Sequence, residues 1–111
     1  MLSGRKFWLA YHLDPVGSIV VDDGAARALT SKGKSLLAAG ISGVEGSFGM
    51  GALVRIVRQG GGAVGVGLTN FKAVELRKIQ GLSSSEIEKI LGPCPHQEVV
   101  HRDNMVLDSS L

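Results

Sequence analysis

Cysteine occurs once in the 111 residues, at Cys94. A single thiol cannot close an internal disulfide, so a disulfide-stapled scaffold is excluded and a reducing compartment fits. Long apolar runs are missing too: no stretch approaches the ~20 residues that a membrane-crossing helix needs. The apolar stretch Phe7 to Tyr11 is too short for a secretory signal and has no cleavage-like ending. These absences lead us to expect a cytoplasmic location and no membrane partner. No excess of one charge is present either. A net charge of +2 and a pI near 8.9 permit a nucleic-acid partner without arguing for one. Aromatic residues are scarce, with three Phe, one Trp and one Tyr.

What the chain has in plenty is glycine, 16 residues, about twice the ~7% of average usage. Glycines scattered among short apolar runs suggest tight turns and strands bent around a small barrel. The hydrophobic content of 44% can supply one core, and a chain of this length has room for one domain, 1–111.

Read in order, Gly17 to Val21 is a short apolar run between turn residues, and we expect a buried strand. Asp22 or Asp23 caps a helix over Gly24 to Leu29, which Gly33 ends in a left-handed conformation. Leu36 to Gly40 reads as extended and Ile41 to Phe48 as a bulged strand. Ala52 to Arg58 and Ala63 to Thr69 form a hairpin through Gln59-Gly60-Gly61-Gly62. In its second strand Gly65, Gly67 and Thr69 alternate with Val64, Val66 and Leu68, so another backbone should cross closely over the bare face. A helix over Phe71 to Gln80, with Val74, Leu76 and Ile79 at helical spacing, stops at Gly81. A second helix opens on the capping-box pattern Ser83-Ser84-Ser85-Glu86 and ends at Leu91-Gly92-Pro93. Glu98 to His101 and Met105 to Leu107 read as closing strands. The fold class expected is mainly β, about six strands with two or three short flanking helices.

Several strings imitate active-site motifs. Ala28-x-x-x-x-Gly33-Lys34-Ser35 has the lysine and hydroxyl order of a phosphate-binding loop. Such a loop must lie between a strand and a helix, and here a helix precedes it and an extended segment follows. Gly60-x-Gly62-x-x-Gly65 opens no helix and is a turn. His101-Arg102-Asp103-Asn104 resembles the start of a protein-kinase catalytic loop but lacks the metal-binding asparagine further on. His96 and His101 have no third ligand at a zinc spacing. We therefore assign no catalytic and no metal residue. The segment that remains is Arg27 to Gly40, where Arg27, Lys32 and Lys34 surround a helix end and a glycine-flanked loop. A basic loop beside a β surface can track a phosphodiester backbone. The alternative is a solvated helix end, where the dipole favours cations in any case.

Taken together, a set of segments resembles the C-terminal domain of the bacterial glutamate 5-kinases, a member of the PUA family of RNA-binding-type modules. The segments are Arg5-Lys6-x-Trp8-Leu9, Val20 to Ala25, Gly33-Lys34-Ser35-Leu36-Leu37-x-Ala39-Gly40-Ile41 and Val44-Glu45-Gly46-x-Phe48. They continue with Gly67-Leu68-x-Asn70, Glu86-Ile87-x-x-Ile90-Leu91-Gly92 and His101-Arg102-Asp103-Asn104-x-Val106-Leu107. The chain departs from that pattern at Met50-Gly51-Ala52, where related domains show Arg-Gly-Asp, and at Val66-Gly67, where many carry an arginine. Both departures remove charge.

The resemblance implies a PUA pseudo-barrel. It also implies a parent enzyme that phosphorylates the γ-carboxyl of L-glutamate with ATP and magnesium, the first step of proline biosynthesis. Catalysis would belong to an amino-acid-kinase domain ahead of the module and outside these residues. The chain is then expected to be a cut piece, with Met1 to Ser3 as an added start, or a free-standing copy. This fragment would bind no cofactor itself, and the parent would be a homo-oligomer. Two roles follow. One is an accessory domain that adjusts the kinase, with Phe7, Trp8 and Tyr11 as candidates for the interdomain contact. The other is an RNA-binding module using Arg27, Lys32, Lys34 and the backbone near Ala39 and Gly40.

Overall fold

A computed structural model describes residues 14–93 and 97–108. Seven strands and three α-helices follow one another: β1 (Gly17–Val21), α1 (Asp23–Lys32), β2 (Leu36–Leu37), β3 (Ile41–Gly46), β4 (Leu53–Arg58), β5 (Ala63–Leu68), α2 (Ala73–Ile79), α3 (Ser84–Leu91), β6 (Glu98–Val100) and β7 (Met105–Leu107). Two single 3-10 turns, Ala38–Gly40 and Arg102–Asn104, precede β3 and β7. The mainly β class with short helices holds, with one strand more than the sequence pattern suggests. That strand is the two-residue β2, too short to show any alternation of its own.

The main sheet has the order β3-β1-β4-β5-β7, and β2 pairs with β6 in a separate ladder. β1 runs parallel to β4, and every other pairing is antiparallel. β1 is paired on both sides and almost wholly apolar, and Ile19 and Val21 are completely buried. That is how a strand with no polar face behaves in a sheet interior. The bulge anticipated in the third strand lies at Ser42, since Val20 pairs with Gly43 but Val21 with Ile41.

The crossing expected over the bare face of β5 is β7. Gly65 pairs with Leu107, and a Cβ there would lie 2.3 Å from the Val106 carbonyl oxygen. Only glycine admits a second backbone at that distance. The Gln59–Gly62 connection carries positive φ at Gly60, Gly61 and Gly62, as a tight hairpin between β4 and β5 demands.

Two sequence expectations change in the helices and connections. In α2 the inward face is Ala73, Leu76 and Ile79, while Val74 is 56% exposed. Positions 74 and 76 lie on opposite sides of an α-helix, so Val74 cannot share the face of Leu76. The segment Leu36 to Gly40 is extended for two residues only and then makes a 3-10 turn. There the Gly81 N–H donates to the Ala38 carbonyl at 2.8 Å and the Asp22 N–H donates to the Gly40 carbonyl at 3.0 Å. These bonds tie the segment to the turn after α2 and to the start of α1. Helix α3 is capped as expected. The Ser83 N–H and hydroxyl donate to Glu86 Oε1 at 3.1 and 2.9 Å, and the Glu86 N–H donates back to Ser83 Oγ at 3.5 Å. Residues 1–13 and 94–96, with Phe7, Trp8, Tyr11, Cys94 and His96, lie outside the described residues.

Candidate functional site

The site is built around α1. Asp22 Oδ1 accepts the Ala25 N–H at 2.7 Å and caps the helix, and Asp23 sits in its first turn. At the other end Gly33, at φ 61° and ψ 30°, turns the chain so that the Lys34 N–H reaches the Ala28 carbonyl at 3.2 Å. Between these ends, one side of α1 brings Gly24, Ala25, Ala28 and Leu29 to a groove beside the loop after β2. A Cβ on Gly40 would fall 2.5 Å from the Ala25 methyl, so the loop rests directly on the helix through two small residues.

Beside this contact a groove of about 500 Å³ opens. Its walls are apolar: Ala25, Ala28, Leu29, Leu36, Leu37, Ala39 and Gly40, with Asp22, Lys34, Ser35 and Glu98 supplying polar groups. Leu37 is 48% exposed, so the groove presents a large aliphatic side chain to whatever enters it.

The residues singled out in the sequence separate in space. Lys34, Ala39 and Gly40 come together at this groove. Arg27 points from a different side of α1, where it shares a cleft with Asp23, Thr30, Ser31 and Arg58. Lys32, in the last turn, is exposed and lines neither hollow.

A cation that sequence reasoning missed stands beside Lys34. Arg102 lines a small hollow of about 140 Å³ together with Gly33, Lys34 and Asp103. The Arg102 N–H donates to Ser35 Oγ at 2.9 Å across 67 positions of sequence. That bond gives Ser35 a structural task and ties the Gly-Lys-Ser segment to the His-Arg-Asp-Asn turn. No linear signal announces such a pairing. In the same turn His101 Nδ1 accepts the Asp103 N–H at 3.1 Å. The Asp103 carboxylate lies 3.6 Å from the same nitrogen. Among the described residues no group of three or more His, Cys, Asp or Glu side chains is placed to hold a metal ion. No described helix is long and apolar enough to cross a membrane.

Over these elements the sequence matches a known family: the family profile of the PUA domain covers residues 17–91. The chain belongs to the PUA domain family. Among solved structures, a PUA domain from Aeropyrum pernix K1, determined as a tartrate complex, superposes with a TM-score of 0.58 at 31% identity. The match covers 78% of this chain and 41% of that one. A conserved PUA domain protein from Thermoplasma acidophilum shares the fold at a TM-score of 0.52 and 20% identity, over 86% of this chain and 55% of that one.

Among curated proteins, this PUA domain is 57% identical to glutamate 5-kinase of Oleidesulfovibrio alaskensis over 97% of its length. It is 54% identical to glutamate 5-kinase of Maridesulfovibrio salexigens over 99%. It spans only 28% and 29% of those two enzymes.

Proposed function

We propose that this chain is the accessory PUA module of a glutamate 5-kinase. The reading is carried by 57% identity over 97% of the chain to an enzyme of that name, of which the chain spans 28%. The parent transfers the γ-phosphoryl group of ATP to the γ-carboxyl of L-glutamate, with magnesium, at the entry to proline biosynthesis. ATP and magnesium bind in its amino-acid-kinase domain, where phosphoryl transfer needs positioned metal ions and cations. The module adjusts that domain's assembly into a homo-oligomer and its response to proline and magnesium. Phe7, Trp8 and Tyr11 are candidates for the interdomain contact, because aromatic anchors commonly hold such surfaces.

A hybrid enzyme tests this reading. The chain replaces the matching segment of the Oleidesulfovibrio alaskensis kinase, beside a version from which that segment is deleted. The hybrid is expected to phosphorylate glutamate with the parental assembly state and proline response. The deletion keeps the chemistry but shifts assembly or proline response. A hybrid that folds yet behaves like the deletion overturns the proposal.

A second reading, RNA binding, is favoured by one observation. Lys34, Ala39 and Gly40 meet at an apolar groove with the Arg102 side chain close by. An apolar slot for a base flanked by cations for its phosphates is the arrangement a single strand uses.

A further inference from the structure

The side of α1 away from the groove carries a different chemistry. Asp23, Arg27, Thr30 and Ser31 form one stripe of the helix, at the spacings that bring side chains onto a common face. Together with Arg58, from the end of β4, they line a cleft of about 370 Å³. No aliphatic or aromatic side chain is among the five.

Two facts separate this cleft from an ordinary charged surface. First, neither guanidinium has a protein acceptor among the described residues. Asp23 and Arg27, four apart on the helix, are placed to pair, yet no ion pair or hydrogen bond joins them. Second, the Arg58 backbone is held in place. Its N–H donates to the Gly62 carbonyl at 2.8 Å, and the next N–H, of Gln59, donates to Val21 at 2.8 Å. β4 pairs with β1 through Val21 and Arg58, and α1 begins two residues after Val21. The backbones of both arginines are thus anchored at one corner, and their exposed side chains line one hollow with open donor forks. Thr30 commits its hydroxyl hydrogen to the Ala26 carbonyl at 2.9 Å, whereas the Ser31 hydroxyl is free to donate.

We propose that Arg27, Arg58 and Ser31 form an oxyanion site that binds a phosphate group. Guanidinium forks match the tetrahedral oxygens of phosphate and hold them bidentately, and a bound anion removes the repulsion between two cations at close quarters. The group is supplied either by a small phosphorylated molecule or by the phosphodiester of a single strand. Asp23 opposes a bare anion, so a ligand bearing a hydroxyl or amine for its carboxylate fits better than inorganic phosphate. The site is independent of the kinase and groove readings and can fail or stand without them.

The test uses the full chain, labelled with ¹⁵N, titrated with inorganic phosphate, pyrophosphate and a short oligouridine. Saturable amide shifts centred on Ser31 and Arg58 are expected. Loss of one charge-assisted contact in Arg27→Gln or Arg58→Gln should weaken phosphate binding about tenfold. Lys34→Gln, at the groove, should leave it unchanged, and Asp23→Asn should tighten it. Both arginines are exposed, so unchanged thermal midpoints are expected to show that the variants fold. If oligouridine competes with phosphate and loses affinity in the same variants, the source is a phosphodiester. If oligouridine does not compete, it is a small ligand. Shifts that never saturate, or that follow Lys34 and Arg102 as much as Arg27 and Arg58, overturn the site.

Discussion

Gly65 shows how much one missing side chain can decide. Its Cα faces the Val106 carbonyl so closely that an added methyl would lie 2.3 Å from the oxygen and 3.0 Å from the Leu107 Cα. Both obstacles are backbone within a ladder and cannot rotate away. Gly65→Ala should therefore cost about 1–3 kcal/mol or more, the range for overpacking a well-filled interior. Gly49→Ala is the matched control, since a Cβ there meets nothing within 4 Å and its φ is not positive. Urea unfolding of the two variants checks this: equal midpoints would show that β7 can step away from β5. The alternation of glycine with valine along residues 63–69 makes this crossing legible from the residue order alone. Gly40 is legible there only as a loop glycine. Its contact with Ala25 depends on where α1 lies, which residues 36–41 do not encode.

At the scale of elements, caps and turns were the best-signalled features, because the residues that make them are neighbours in sequence. Asp22, Gly33, Ser83 and Glu86 each act within a few positions of themselves. The cap of α3 also has a pH dependence with a definite sign. The Ser83 N–H, and then its hydroxyl, donate to the Glu86 carboxylate and hold its pKa below the ordinary 4.5. A carboxyl whose folded pKa is lowered stabilises the fold fully above its unfolded pKa and ceases to do so as pH falls through the lowered value. Side-chain carbon NMR should find Glu86 titrating below 4.5, and Ser83→Ala, which removes the hydroxyl but keeps the N–H, should return it only part of the way. An unchanged titration in Ser83→Ala would leave the Ser83 N–H, which that variant keeps, as the cause, whereas a Glu86 titrating at or above 4.5 in the unaltered chain would remove the cap's effect. The α2 face was misread where the cap of α3 was not. A helical face is decided by steps of about 100° together with what packs on it, and Ala73, small enough to seem neutral, took the place that Val74 was expected to fill.

For the whole molecule, two of the segments that resemble the glutamate 5-kinases, Gly33–Ile41 and His101–Leu107, are joined directly. Ser35 accepts the Arg102 N–H, and Asn70 binds the carbonyls of β6, with its side-chain amide donating to Glu98 at 3.0 Å and its N–H to Val99 at 2.8 Å. The Ser35 bond holds Arg102 at the small hollow it shares with Lys34, next to the groove that Lys34 also lines, and this sets a quantitative expectation for RNA. If those two cations neutralise two phosphates of a single strand, the logarithm of affinity should fall with log salt at a slope of about −1.4, and either alanine substitution should remove about half of it. Lys32→Ala, which lies off the groove and off the Arg27 cleft, should change the slope little. Anisotropy titrations of oligouridine at several salt concentrations measure this, and a slope untouched by Lys34→Ala would leave the groove without an RNA role.

By itself the sequence determined the local grammar of this protein: which runs become strands, where helices begin and end, where only glycine fits, and its membership of a family. Those properties follow from periodicity, capping and steric demands within a few residues of each position. Tertiary structure alone decided the company that side chains keep. It placed Lys34 with Arg102 across 67 positions separating Ser35 from that arginine and Arg27 with Arg58 across β1, and it divided one basic segment into two faces of α1. Such pairings come from strand order and from the direction a helix leaves its sheet, and no spacing along the chain contains them.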